Sequence, residues 1–145
     1  MQLRPLGNTG ILVSEISFGC VELGIPYGIG VKNAADMLPE ADAIRLLQGA
    51  LDQGLNFFDT APAYGTSESL LGQAFADRRE QAVICTKAPH GAADPDMLEQ
   101  PDQLRQLLTD ALTDSLRKLR TDYVDLYMLH RATDGALRSP ALVGI

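Results

Sequence analysis

The sequence predicts an α/β fold built around a parallel sheet, and three observations carry that prediction. Short apolar runs of strand length recur at residues 55–58, 82–87 and 123–130. Segments with apolar residues at helical spacing lie between them, and such alternation calls for right-handed crossovers onto a parallel sheet. Each run also closes on a polar side chain: Asp59, Lys87 or His130. Such residues are odd at the end of a buried strand unless something satisfies them.

The elements follow in order. Residues 2–6 and 11–14 flank Gly7-Asn8-Thr9-Gly10 and read as a β-hairpin, placed to plug the bottom of a barrel. Residues 15–19 form the first parallel strand, with Gly19 and Cys20 beginning its exit. Residues 22–38 carry three glycines and a proline without a stable period, which reads as a long loop at the active face. Pro39 suits the first position of a helix carrying Ile44, Leu47 and Leu51, with Glu40 and Asp42 at the positive end of its dipole and Gly54 as its stop.

Leu55, Phe57 and Phe58 make the next strand, ending at Asp59, and Pro62 and Gly65 shape the turn that presents Tyr64. Ser67 is placed to cap a helix bearing Leu70, Leu71, Ala74 and Phe75. Residues 82–87 are a buried strand ending in Lys87, and residues 90–100 read as loop. Pro101 opens an amphipathic helix with Leu104, Leu108, Ala111 and Leu112, running to about Leu119, where Arg117, Lys118 and Arg120 suit its negative end. Residues 123–130 form a fourth parallel strand ending in His130.

Bulk properties narrow the function. The 145 residues leave room for one ordinary domain. A net charge of −7 argues against nucleic acid or an anionic membrane as the main partner. Cys20 and Cys85 form neither a disulfide pattern nor a metal pair and read as buried thiols. His90 and His130 are too few for a His-rich zinc site. No apolar run is long enough to cross a membrane and no secretory signal is visible, so a cytoplasmic location is the default expectation.

Neighbouring parallel strands bring Asp59, Tyr64, Lys87 and His130 to one rim, where their chemistry is complementary. A tyrosine with a reference pKa near ~10 is a poor acid at neutral pH, and a nearby ammonium stabilises its phenolate. Lys87 is the candidate cation and Asp59 its partner. His130 can donate a hydrogen bond to the carbonyl oxygen that Tyr64 protonates. This is a general-acid site for carbonyl reduction. No nucleophile or phosphate loop accompanies it, so the hydride has to come from a cofactor. Residue by residue the bland readings stand beside this one. His90 reads as a solvated loop histidine and Tyr27 as an exposed loop tyrosine that could line a pocket. Tyr123 and Tyr127 read as packing residues.

The stretch Asn56-Phe57-Phe58-Asp59-Thr60-Ala61-Pro62-Ala63-Tyr64-Gly65, with Ile84-Cys85-Thr86-Lys87, with Asp122-Tyr123-Val124-Asp125-Leu126-Tyr127-Met128-Leu129-His130 and with the hairpin Leu6-Gly7-Asn8-Thr9-Gly10-Ile11-Leu12-Val13-Ser14, resembles the aldo-keto reductase family. The resemblance implies a TIM-type (β/α)8 barrel, of which the hairpin and about four β/α units are present. It implies NADPH as the usual cofactor, with NADH the other option, and an aldehyde, ketone or sugar as substrate. Carried over to this chain, Tyr64 is the acid, Lys87 and Asp59 tune it, and His130 orients the carbonyl. Gly19, Cys20 and Val21 approach the cofactor, and Asp59 reaches its nicotinamide ribose.

The resemblance ends near His130, whereas such a barrel takes about 250 residues. The expectation is therefore one domain, residues 1–145, truncated after its fourth strand. Gly135 and Pro140 interrupt the tail, so residues 131–145 are not expected to supply the next helix and strand. Two open sheet edges would follow, with residues 83–85 and 124–129 losing part of their cover and the edges inviting self-association. The family's phosphate clamp has no match here, and a regulatory cofactor-binding module or an inactive fragment is the alternative to a working reductase.

Overall fold

The computed structural model describes residues 1–143. Its opening ribbon pairs β1 (Leu3–Pro5) antiparallel with β2 (Leu12–Ser14), Arg4 standing opposite Val13. The ribbon is tied to the main sheet through Asn56, whose side chain accepts from the Ser14 amide at 2.7 Å and donates to the Leu12 carbonyl at 3.0 Å.

The parallel sheet begins with β3 (Ser17–Gly19), shorter than expected at its start. The expected long loop at 22–38 is interrupted by α1 (Val21–Gly24) and by a 3-10 turn at Ala34–Asp36, which Asn33 and Asp36 close with a capping box. α2 (Glu40–Asp52) follows. Pro39 is its cap rather than its first residue: its ψ of 146° is extended, while its carbonyl already accepts from Asp42 and Ala43. β4 (Phe57–Asp59) and α3 (Ser67–Ala74) come next. Ser67 does not cap α3. Thr66 holds that position, and the buried Ser67 hydroxyl is engaged with Thr60 Oγ1 at 2.8 Å.

β5 (Val83–Lys87) is the longest strand of the sheet. The region expected as loop after it contains a 3-10 turn, His90–Ala93, and α4 (Pro95–Leu98), where Pro95 supplies a preset φ at the first helical position. α5 (Pro101–Leu119) matches expectation at both ends. β6 (Leu126–Met128) is shorter than the apolar run at 123–130 suggests. The residues before it have other work. Asp125 accepts from Arg79 at 2.7 Å and from the Ile84 amide at 2.9 Å, and the Arg79 guanidinium lies 4.1 Å over the Tyr123 ring. The tail forms two single turns, α6 (Asp134–Leu137) and α7 (Pro140–Val143); residues 144 and 145 lie outside the described residues.

The four parallel strands run in sequence order, β3-β4-β5-β6, with Gly19 opposite Asp59, Asp59 opposite Cys85 and Lys87 opposite Met128. Among the described residues β3 and β6 are the outer strands, so the sheet is open. One face carries the main core, where Phe58, Ile84, Leu47, Leu71, Phe75 and Leu119 are buried. A second cluster joins Leu104 and Leu108 of α5 to Ala88, Ala92 and the half-buried Tyr127, Leu129 and Leu142. The expected loss of cover is met in part: Val83, Ile84 and Cys85 remain buried, whereas Met128 is half exposed. No helix among the described residues is long and apolar enough to cross a membrane.

Candidate active site

The site is assembled at the carboxyl ends of β4, β5 and β6. Asp59 is the last residue of β4 and Lys87 the last of β5. The register places Lys87 two residues beyond the partner of Asp59, so both side chains share one face. The Lys87 ammonium donates to Asp59 Oδ1 at 2.6 Å and to the Thr60 carbonyl at 3.0 Å. Burial pulls this ammonium down, but its hydrogen bond to Asp59, the carboxylate charge and Tyr64 together hold it above the ordinary lysine value.

Tyr64 is carried by the turn after β4, 4.9 Å from the Lys87 nitrogen to the ring centroid. The turn is locked by a close backbone approach. Gly65 has a φ of +57°, and a Cβ there would lie 2.2 Å from the Gly24 carbonyl oxygen. A Cβ on Gly24 would lie 1.7 Å from the Tyr64 carbonyl oxygen. Glycine at both positions lets α1 press against the turn and fix where Tyr64 stands. The Ser67 amide donates to the Tyr64 carbonyl at 3.1 Å, anchoring the turn to the start of α3.

His130 lies two residues beyond the end of β6. Its ring meets Tyr64 edge-on, with centroids 5.6 Å apart and planes at 84°. Its other neighbour is His90, with centroids 3.9 Å apart and planes at 33°. Burial first, then the charges of His90 and Lys87, hold the His130 imidazole below its ordinary value. Asp59, Tyr64, Lys87 and His130 are thus brought to one rim. A cavity of about 540 Å³ opens beside it, lined in part by His90, Asp94, Arg131 and Thr133.

The residues singled out for a cofactor are placed unequally. Gly19 is exposed, and nothing lies within 4 Å of where its Cβ would be. Val21 is half buried, and Cys20 is wholly buried, its thiol 3.6 Å from the Phe18 carbonyl. Tyr27 lines a separate cavity of about 260 Å³ with Gly19, Leu23 and Leu46.

Two features were not visible in the sequence pattern. His90, read as a solvated loop residue, is exposed yet stacked on His130; its spacing of three from Lys87 was the only signal. Glu68 sits in the first turn of α3, where an acid is ordinarily a dipole partner, but it is only 1% exposed. Its Oε1 accepts from Thr86 Oγ1 at 2.7 Å, one residue before Lys87, and its Oε2 is 3.8 Å from Lys118.

The aldo/keto reductase family model matches residues 15–134. This chain belongs to the aldo/keto reductase family. The uncharacterized oxidoreductase YqkF of Bacillus subtilis is 33% identical over 135 residues, which are 92% of this chain and 40% of that protein. The holo form of an aldo-keto reductase from Bacillus halodurans superposes with a TM-score of 0.70 at 33% identity, covering 92% of this chain and 41% of its own. An aldo-keto reductase from Klebsiella pneumoniae in complex with NADPH gives 0.57 at 28% identity, covering 85% and 37%. This reductase-family chain therefore spans about 40% of the length of the curated relatives it matches. Its four-stranded sheet agrees with part of a TIM-barrel-like fold, and among the described residues the sheet does not close into a barrel.

Proposed function

We propose that this chain carries the proton-transfer half of an NADPH-dependent carbonyl reductase, built on the N-terminal part of a (β/α)8 barrel. The observation that supports this reading best is the Lys87–Asp59 pair beneath the Tyr64 ring, with the His130 ring at the edge of Tyr64.

Tyr64 is the proton donor to the substrate oxygen. The Lys87 ammonium stabilises the phenolate that remains, and Asp59 and the Thr60 carbonyl aim that ammonium by occupying two of its three donors. His130, uncharged at neutral pH, orients the carbonyl by donating from a ring nitrogen. The rim fits the nicotinamide end of the cofactor. Gly19 leaves open space beside Asp59 across the register, and the Asp59 carboxylate, about a third exposed, keeps oxygen free to accept from a ribose hydroxyl. NADPH, when bound, supplies the hydride; the chain supplies the proton and the orientation. The substrate is an aldehyde, a ketone or a sugar carbonyl.

The test is NADPH oxidation with a panel of aldehydes and ketones, comparing wild type with Tyr64→Phe. A positioned general acid contributes about 10²–10⁴-fold, and loss of that order is expected with folding unchanged. Turnover that survives Tyr64→Phe, or failure to bind NADPH, sinks the reading. Binding without turnover by wild type points instead to a regulatory cofactor-binding module.

A further inference from the structure

His130 stands in a bend beyond β6, past the last ladder bond, which runs from the Ala88 amide to the Met128 carbonyl at 2.7 Å. Among the described residues neither imidazole has a hydrogen-bond partner, so the orientation of the His130 ring rests on two ring contacts. Tyr64 meets it with an edge. His90 covers it with a face, at the shorter distance of 3.9 Å. His90 is itself held by the 3-10 turn His90–Ala93, where Pro89 precedes it and the Ala92 amide bonds back to the Pro89 carbonyl at 3.0 Å.

We propose that His90 is a positioning residue for the site: its ring clamps the His130 imidazole against Tyr64 in the orientation used toward the substrate carbonyl. This rests on the reading of His130 as the carbonyl-orienting group. The clamp has an electrostatic consequence. A charge on His90 opposes protonation of His130, adding to burial, which is the larger cause. The other charges facing His130 act with it: Lys87 and Arg131 oppose its protonation, and Asp59 favours it. His90 therefore adds to burial in disfavouring the charged form of His130, as well as aligning its ring.

His90 and His130 are the only histidines in the chain, so their ring protons can be followed by NMR without ambiguity. In wild type the His130 signal should titrate below the ordinary histidine value of about 6.5. In His90→Ala, the remaining signal should lose its ring-current shift and its midpoint should move up toward about 6.5. His90→Phe keeps a stacking ring without a second titrating group, so the ring-current shift and the contact to Tyr64 should persist. If the His130 signal and midpoint are unchanged in His90→Ala, the proposal is overturned. Loss of the Tyr64 contact in a folded His90→Phe also overturns it. The measurement needs neither cofactor nor substrate, so its outcome is independent of the reductase reading.

Discussion

Asp59→Asn should expose how unevenly the Lys87–Asp59 pair is buried. The Lys87 side chain is 12% exposed and Asp59 is 36% exposed, at a separation of 2.6 Å. Removing the carboxylate charge strands a nearly buried ammonium with the Thr60 carbonyl and a neutral amide. Breaking a fully buried pair costs about 3–5 kcal/mol, and an exposed one about 0–1 kcal/mol. With one partner a third open to water, about 2 kcal/mol is the expected loss at pH 7. For a chain of this size that lowers Tm by about 4–8 °C. The reciprocal variant, Lys87→Met, leaves a carboxylate that water can reach and should cost about 1 kcal/mol or less. The pH dependence has a definite sign. The folded-state value of Lys87 is raised, so its contribution is fully present below the unfolded lysine value of about 10.4 and is lost as pH rises through the folded one. Asp59→Asn should flatten that alkaline loss. The assay is urea and thermal unfolding followed by far-UV circular dichroism, since the chain has no tryptophan. Equal costs for the two single variants, or a Tm change under about 1 °C for Asp59→Asn, would refute the reasoning.

Three further outcomes are expected. Burial, helped by the Asp59 charge, pushes the Cys20 thiol up to about 12 and raises Cys85 for the same reasons, so neither should react with a disulfide reagent at pH 8 until urea unfolds the chain; rapid labelling of the native chain would contradict this. Burial and the Glu68 charge push Tyr127 up to about 12 from an ordinary 10, so its stabilising contribution is present below the ordinary value and lost as pH rises through about 12. An ultraviolet tyrosine titration should show one late step that Tyr127→Phe removes. Thr86→Val takes the donor from the buried Glu68 carboxylate and should cost about 1–3 kcal/mol in urea unfolding, a cost that a concurrent Glu68→Leu would reduce.

The parts of the fold carried by strong periodicity were legible. Pro101–Leu119 was read correctly at both ends because nineteen residues give several turns of pattern, with a proline at the first position. The parallel order of the strands followed from alternation alone. Short elements were not legible: α1, α4, α6 and α7 each have four residues, barely one turn, and leave no period to read. The start of β6 was misjudged because Tyr123 and Asp125 look like strand residues, yet both face Arg79. The gathering of Asp59, Tyr64, Lys87 and His130 at one rim was legible from their residue types at strand ends. The His90 contact depends on a turn with no pattern of its own, and nothing in the spacing marks Glu68, in the first turn of α3, as buried.

The rim and the core are two faces of the same alternation. Along β4 and β5, Phe58, Ile84 and Thr86 point toward the helices and are fully buried, while Asp59, Cys85 and Lys87 point the other way. A slip of one residue between these strands would turn Lys87 into the helix side, against Glu68 and the leucines of α3, and would take Ile84 out of the main core. The penalty of that exchange, Ile84 displaced from the core and one ammonium buried among apolar side chains, exceeds what the Lys87–Asp59 pair contributes alone. The packing of Phe58 against Phe75, with centroids 4.7 Å apart, and the burial of Ile84 therefore determine the register. The 2.6 Å contact between Lys87 and Asp59 is its consequence on the opposite face. It follows that a core variant such as Phe58→Ala, remote from the rim in side-chain direction, should disturb the tetrad before it abolishes the sheet.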